Sequence, residues 1–143
     1  MKKILFVASE AVPFIKTGGL ADVVGSLPKC FDKEYFDVRV MIPKYLCIKD
    51  KFLSNLTYVN HFYMDYLGQS RYVGILEYVY EGITFYFIDN EYYFKRDGIY
   101  GHYDDAERFA FFSRAVLEII PHIDFKPDII HTNDWQTALV PVY

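Results

Sequence analysis

The sequence predicts an α/β domain with a mainly parallel sheet and an inserted β-hairpin or meander. Three patterns carry this prediction: a short apolar run near the amino terminus, a glycine turn that leads from it into an amphipathic helix, and a later stretch crowded with Tyr, Val, Ile and Phe. Strands buried on both faces of a parallel sheet are apolar throughout, whereas hairpin strands are rich in β-branched and aromatic residues. The chain has 143 residues, 52% of them hydrophobic, which is enough for one domain with a core.

The opening of the chain predicts a β-α-β unit. Lys2–Ser9 form the apolar run and predict the first strand, because polar and apolar side chains do not alternate along it. After the glycines, apolar residues at helical spacing predict a helix that stops or kinks at Pro28. Its expected apolar stripe is Leu20, Val23, Val24 and Leu27. Val38–Ile42, directly before Pro43, predict a second short strand.

The region between residues 56 and 89 predicts the hairpin or meander. Arg71–Tyr80 and Ile83–Ile88 are two strand-like runs, and Glu81–Gly82 between them form a dipeptide of the kind that closes tight turns. We therefore expect these two runs to pair with each other.

The last third of the chain predicts a helix, a strand and the start of another helix. Asp104 is the expected N-cap of the first helix, with Glu107 as its capping-box partner and Pro121 at its end. Its expected apolar face is Phe109, Phe112, Val116, Ile119 and Ile120. Pro127–His131 predict another buried strand, and Asn133–Asp134 predict the cap of the last helix. That helix would carry Ala138, Leu139 and Val140.

Charge and composition exclude several classes of protein. A net charge of -4 and a pI near 5.5 produce no field that would gather nucleic-acid phosphates or anionic lipids. No uninterrupted apolar stretch approaches the roughly 18 to 20 residues that cross a bilayer, and the first apolar run is too short for a secretion signal. Cys30 and Cys47 lack the spacing of a disulfide or metal motif, so we expect reduced thiols. We expect a soluble, cytoplasmic protein that binds neither nucleic acid nor membranes.

A candidate phosphate site lies between the first strand and its helix, at Lys16-Thr17-Gly18-Gly19. Open α/β sheets bind ligands at this carboxyl edge. Two glycines permit positive φ and close backbone approach, the helix start offers free N–H groups, and Lys16 adds a positive charge. The spacing matches neither a Walker loop nor the dinucleotide G-x-G-x-x-G. A tight strand-to-helix turn with an exposed lysine explains the same residues without a ligand.

A second candidate segment follows the next predicted parallel strand, at His131–Gln136, and would therefore lie on the same edge of the sheet. Asp134 can accept hydrogen bonds from sugar hydroxyls, and the Trp135 indole can stack on a pyranose face. The alternative is structural: Asp134 or Asn133 caps the helix and Trp135 fills the core. We predict no metal site, because the histidines show neither HxH nor HxxxH spacing.

The chain as a whole resembles the amino-terminal domain of bacterial glycogen synthases and plant starch synthases. The blocks that carry the resemblance stand in the order of that family: Ile4–Pro13, Lys16–Val23, Asp104–Arg114 and His131–Tyr143. Their combination is far more specific than any one block. The resemblance implies a Rossmann-like domain that forms part of the amino-terminal half of a two-domain GT-B type glycosyltransferase.

The resemblance also implies a reaction, the retaining transfer of glucose from ADP-glucose to the non-reducing end of an α-1,4-glucan, without a metal or another cofactor. By position, Lys16 would contact the donor phosphates and Asp22 would steady the loop or reach the donor. Gly18 and Gly19 would let the backbone close on the phosphates. Asp134, as a catalytic residue, and Trp135 would line the glucose end of the cleft.

The resemblance places residues 1–143 in an incomplete amino-terminal domain, with the carboxy-terminal domain absent. We expect such a piece to be inactive on its own, to bind ADP-glucose with a Kd of about 1 mM or weaker, and to self-associate through apolar surface. The main alternative is a non-catalytic module that binds a nucleotide-sugar or a carbohydrate. A dinucleotide-dependent oxidoreductase is disfavoured, because no acidic residue is convincingly placed for a ribose.

Overall fold

The computed structural model describes all residues from Met1 to Tyr143 and shows one six-stranded sheet in the order β3-β4-β5-β2-β1-β6. Three neighbouring pairs are parallel, β5 with β2, β2 with β1, and β1 with β6, which confirms the α/β prediction. The strands are β1 (Lys2–Val7), β2 (Phe36–Pro43), β3 (Thr57–Tyr66), β4 (Gln69–Tyr80), β5 (Ile83–Asp89) and β6 (Ile129–Thr132).

The helices lie in the connections between the strands. They are α1 (Gly19–Ser26), α2 (Asp50–Leu53), α3 (Glu91–Phe94) and α4 (Asp105–Ile119). Short 3₁₀ helices cover Leu27–Cys30, Ile120–His122 and Trp135–Thr137. Both α1 and α4 end shortly before a proline, as predicted, because proline lacks the N–H that would continue the helix. None of the helices is both long enough and apolar enough to cross a bilayer.

The predicted meander forms the β3-β4-β5 half of the sheet. Glu81 and Gly82 connect β4 to β5 with φ angles of 49° and 79°, and Leu67 and Gly68 connect β3 to β4 with 51° and 76°. Left-handed φ at both central residues is the geometry of a two-residue hairpin turn that matches strand twist. Because β5 also pairs with β2, the meander widens the parallel sheet.

The core is a single cluster of 35 buried hydrophobic residues. Phe14, in the loop after β1, is at its centre and is 2% exposed. Its ring lies 4.8 to 5.7 Å from four others: Phe52, Tyr78, Phe85 and Phe87. Such edge-to-face contacts stabilise the cluster beyond the area that they bury. The loop that leads to the candidate phosphate site is therefore anchored in the core.

The predicted apolar stripe of α1 is wrong in part. Val23 is 50% exposed and Leu27 is 37% exposed, whereas the residues that face the protein are Ala21, Val24 and Gly25. A Cβ at Gly25 would meet the Val12 side chain and lie 2.8 Å from the Val12 carbonyl oxygen. The helix docks through small residues because the backbone at Val12 lies directly against it.

The predicted capping box of α4 is also wrong. Asp104 is at the N-cap position but caps no backbone amide, since its carboxylate pairs with the Arg96 guanidinium. Glu107 accepts a hydrogen bond from the Tyr93 hydroxyl at 2.6 Å. The Arg96 guanidinium binds both oxygens of the Asp104 carboxylate, a bidentate contact between full charges that a single backbone amide cannot match. This explains why the side chain turns away from the helix.

The last two predicted elements need correction. β6 is at the edge of the sheet, so it is half exposed and not buried; Ile129 is 49% exposed. Asn133 and Asp134 do not cap an α-helix, because a 3₁₀ turn follows and Asp134 adopts φ 62°. The Asn133 amide N–H donates to Thr137 Oγ1 at 2.8 Å, and that hydroxyl donates back to the Asn133 carbonyl. Side-chain bonds of this kind compete with helix formation.

Candidate functional site

The loops after β1 and β6 leave the sheet at the same edge. β1 and β6 are parallel neighbours, and Val7 pairs with Thr132 at their carboxyl ends. The Asn133 side-chain amide donates to the Val7 carbonyl at 2.9 Å and ties the two loops together. Both candidate segments of the sequence analysis therefore begin next to each other.

Lys16 and Asp22 form an ion pair at the start of α1. The Lys16 ammonium lies 2.7 Å from the Asp22 carboxylate, and the two side chains are 52% and 54% exposed. Asp22 is in the first turn of the helix. The lysine charge is thus held near the helix start while it remains open to solvent.

The two glycines do not use the left-handed conformations that their residue type permits. Gly18 is extended, with φ and ψ both at -163°, and neither glycine has positive φ. A Cβ on either residue would meet no atom within 4 Å. The positive φ that glycine permits is not needed here, because an extended Gly18 already leads directly into α1. The expectation of open space above the backbone agrees with the structure.

A buried carboxylate that the sequence analysis missed, that of Glu10, holds this loop. Glu10 is 2% exposed. Its Oε1 accepts the amides of Gly18 and Ala21 at 3.2 Å each, and its Oε2 accepts the Thr17 hydroxyl at 2.5 Å. Glu10 therefore serves as the cap of α1 from seven residues or more upstream in the chain. Its place directly after the first strand, ahead of a helix start, was the available signal.

Tyr100 completes the network around Glu10. Its hydroxyl donates to Glu10 Oε2 at 3.1 Å and shares a hydrogen bond with Ser9 Oγ at 2.5 Å. Burial raises the pKa of Tyr100 far above its usual value, and the charges of Glu10 and Asp134 act in the same direction. Burial also raises the pKa of Tyr45, whose hydroxyl donates to the Ser9 carbonyl at 2.7 Å. Both phenols remain protonated donors at neutral pH.

The start of α1 still has the features of an anion site, although Glu10 occupies two of its backbone amides. The Gly19 and Leu20 amides belong to the first turn and form no intrahelical bond, while those of Gly18 and Ala21 are occupied by Glu10. The helix dipole adds positive potential at this point, and the half-exposed Lys16 ammonium, although paired with Asp22, is accessible to an anion. An anion that approached the free amides would also meet the Lys16 ammonium.

Asp134 and Trp135 do not fill the structural roles considered for them. Asp134 is exposed and caps nothing. The Trp135 side chain is 57% exposed and contacts the Phe109 ring edge-on at 5.4 Å. An exposed indole beside an exposed carboxylate suits the recognition of a sugar ring. The charge of Asp134 is one of the smaller causes that raise the pKa of Tyr100.

No group of three or more His, Cys, Asp or Glu residues is arranged to hold a metal ion. Three of the four histidines pack against aromatic rings. His61 stacks on the Tyr72 ring at 5.7 Å. His131 lies 4.5 Å from the Phe6 ring, and His122 stacks on Phe62 at 4.2 Å. Cys30 and Cys47 are free thiols on the surface.

Comparisons with known proteins agree on one family. The family model described as the starch synthase catalytic domain matches residues 3–143. The chain is 59% identical over its whole length to a glycogen synthase of Lachnospira eligens and 60% identical to one of Lachnoclostridium phytofermentans, and it spans about 30% of each. The catalytic domain of starch synthase IV from Arabidopsis thaliana, solved with ADP and acarbose, superposes with a TM-score of 0.88 at 35% identity. That match covers 97% of this chain and 29% of the plant chain.

Proposed function

The chain belongs to the family of starch synthase catalytic domains, and we propose that it supplies the donor-binding edge of an enzyme that makes α-1,4-glucan. The reaction is the transfer of glucose from ADP-glucose to the non-reducing end of the glucan with retention of configuration. The plant relative was solved with ADP and acarbose, a nucleotide and an oligosaccharide, which supports a donor and acceptor of these classes.

One observation carries the proposal: the loop with Lys16 and the segment with Asp134 and Trp135 follow neighbouring parallel strands at the same edge of the sheet. In the proposed complex, Lys16 and the free Gly19 and Leu20 amides bind the donor diphosphate, and Asp22 orients Lys16. Gly18 and Gly19 leave room for the phosphates to approach the backbone. Asp134 accepts hydrogen bonds from the glucose hydroxyls, and its charge stabilises the positive charge that develops at the anomeric carbon. Trp135 covers the sugar.

We further propose that residues 1–143 are part of an amino-terminal Rossmann-like domain and that a second domain closes over the donor. A nucleotide held by one domain alone makes few of its contacts, so binding by this chain by itself is weak and transfer does not occur. We assign the reaction to the cytoplasm, where the exposed Cys30 and Cys47 thiols remain reduced. Neither nucleic acids nor membranes are partners in this proposal.

A chimeric enzyme tests the function. Residues 1–143 replace the corresponding 30% of the Lachnoclostridium phytofermentans glycogen synthase, and incorporation of labelled glucose from ADP-glucose into glycogen is measured. We expect transfer, and we expect Asp134→Asn to lower kcat at least about 100-fold. Asp128→Asn is the matched control, because Asp128 is near the opposite end of β6 and accepts the Lys3 amide at 2.9 Å. A folded chimera that binds ADP-glucose without transfer would instead support a non-catalytic binding module.

A further inference from the structure

Tyr100 is held from both sides by the first turn of α4. Arg108 donates to the Ile99 carbonyl at 2.9 Å, and the Asp105 carboxylate accepts the Gly101 amide at 2.8 Å. Arg108 is fully buried and also forms an ion pair with Asp105 at 2.8 Å. The backbone on each side of Tyr100 is thus fixed by a charged pair, of which Arg108 is fully buried, so the ring of Tyr100 has a defined position.

The Tyr100 hydroxyl contacts Glu10, the carboxylate that holds the loop between Thr17 and Ala21. Both oxygens of Glu10 are engaged, Oε1 by two backbone amides of the loop and Oε2 by the hydroxyls of Thr17 and Tyr100. Tyr100 is the only one of these four hydrogen-bond donors that lies outside residues 17–21. It connects α4 to residues about 80 to 90 positions earlier in the chain.

Glu10 has no cation to fix it. The lysine of the loop, Lys16, pairs with Asp22, and no salt bridge involves Glu10. A buried carboxylate without a counter-ion depends on its hydrogen bonds for its position. The loss of the Tyr100 bond therefore loosens the carboxylate and, with it, the backbone that the carboxylate holds.

We propose that Tyr100 is a positioning residue: through Glu10 it fixes the backbone between Thr17 and Ala21 before the donor binds. The fixed loop presents the Gly19 and Leu20 amides to the diphosphate without an ordering cost. Only the kinetic consequence of this role rests on the proposed transfer reaction. The ordering of the loop is a property of the chain itself.

The kinetic test compares two tyrosines in the chimeric enzyme, the half-buried Tyr100 and the buried Tyr93. Tyr100→Phe removes the bond to Glu10, and Tyr93→Phe removes a bond of the same type, to Glu107 at 2.6 Å, away from the loop. We expect Tyr100→Phe to raise the KM for ADP-glucose about 5- to 20-fold and to change kcat less than about twofold. The rise in KM is smaller than for the loss of a whole charge-assisted hydrogen bond to the ligand, because Glu10 keeps its three other donors. Tyr93→Phe leaves this KM unchanged. Equal KM values in the two variants would overturn the positioning role.

Hydrogen exchange supplies a readout that needs no activity. The Gly18 and Ala21 amides should exchange faster in Tyr100→Phe and in Glu10→Ala than in the parent chimera. Glu10→Gln should preserve their protection, because a carboxamide oxygen still accepts both amides and its NH₂ group can donate to the two hydroxyls. Unchanged exchange in Tyr100→Phe would end the proposal even in an active enzyme. Faster exchange in Tyr100→Phe, in a chimera that is inactive, would contradict the proposed transfer reaction but support the role of Tyr100 in ordering the loop.

Discussion

The Lys16 ammonium lies 2.7 Å from the Asp22 carboxylate at the start of α1. Because each side chain is about half exposed, water and salt screen the pair, and it contributes little to the free energy of folding. The pair instead keeps a positive charge beside the free amides of the helix start. The ion pair therefore serves to position the Lys16 ammonium at the candidate site and does little to stabilise the fold.

The first prediction concerns that lysine. In the chimeric enzyme, Lys16→Met should raise the KM for ADP-glucose about 10- to 100-fold, because a charged hydrogen bond to the diphosphate is lost. The free energy of unfolding should change by less than about 1 kcal/mol. Lys29→Met is the control, since Lys29 forms an exposed ion pair with Glu81, next to the turn before β5. A similar rise in KM in both variants would contradict a local role for Lys16.

The second prediction concerns the exposed indole. Trp135→Ala should lower kcat/KM for ADP-glucose about 10-fold through loss of the sugar-covering surface, while Trp135→Phe keeps most of the activity. Thermal unfolding should change little, because the side chain is 57% exposed. Tyr35→Ala, which removes an aromatic ring that is 61% exposed just before β2, should leave kcat/KM unchanged. An unaffected kcat/KM in Trp135→Ala would remove Trp135 from the site.

The third prediction separates the glycines by their surroundings. Gly25→Ala should destabilise the chain by about 1 to 3 kcal/mol, because the new Cβ would press on the Val12 side chain and lie 2.8 Å from its carbonyl oxygen. Gly19→Ala should not destabilise it, since a Cβ there meets no atom within 4 Å. Urea denaturation of both variants measures the difference. Equal midpoints would show that the loop at Val12 shifts away without cost.

Local patterns were sufficient to predict most of the fold. The Glu81–Gly82 turn was predictable because two-residue hairpins need left-handed φ, and Gly82 supplies it without strain. The 3₁₀ turn after Asp134, where the sequence predicts an α-helix, was not predictable. The Thr137 hydroxyl, three residues after Asp134, bonds to the Asn133 backbone and diverts the chain into this turn. Such competition depends on side-chain geometry that periodicity does not contain.

The candidate site was predictable only where its residues are close in sequence. Lys16, the two glycines and Asp134 stand beside strand ends, so their common edge follows from the order of the elements. The contact between Glu10 and Tyr100 joins residues 90 positions apart, and no spacing rule connects them. The place of Glu10 after the first strand was a signal for a cap of α1. Its burial arises only when the sheet assembles, so the sequence alone could not indicate its contact with Tyr100.

The fourth prediction concerns association of the isolated chain. Apolar side chains are exposed along β6 and the segment that follows it: Ile129, Trp135, Leu139, Val142 and Tyr143. Contiguous apolar surface favours contact between copies. We expect light scattering to show a mass that rises above 16.9 kDa with increasing concentration. Ile129→Lys should reduce this rise, and Val79→Lys, at an exposed position on β4, should not. A constant monomer mass would contradict the prediction.

The fifth prediction concerns acid stability. The Arg96 guanidinium lowers the pKa of Asp104 below its ordinary value of 3.8, and the Asp104 side chain is only 8% exposed. As the pH falls past that ordinary value, the unfolded chain binds a proton at Asp104 before the folded chain does, so this contribution to stability is lost on acidification. It is fully present above that value.

Asp104→Asn should therefore destabilise the chain by about 1 to 3 kcal/mol at pH 7, and the difference from the parent should shrink below about pH 4. Urea denaturation at pH 7, 5 and 3 measures it. Glu81→Gln is the control, because Lys29 lowers the pKa of Glu81 in the same direction, but the pair is at the surface, where water screens it. A deficit in Asp104→Asn that stayed constant across this range would mean that Asp104 stabilises the loop before α4 by shape and not by charge.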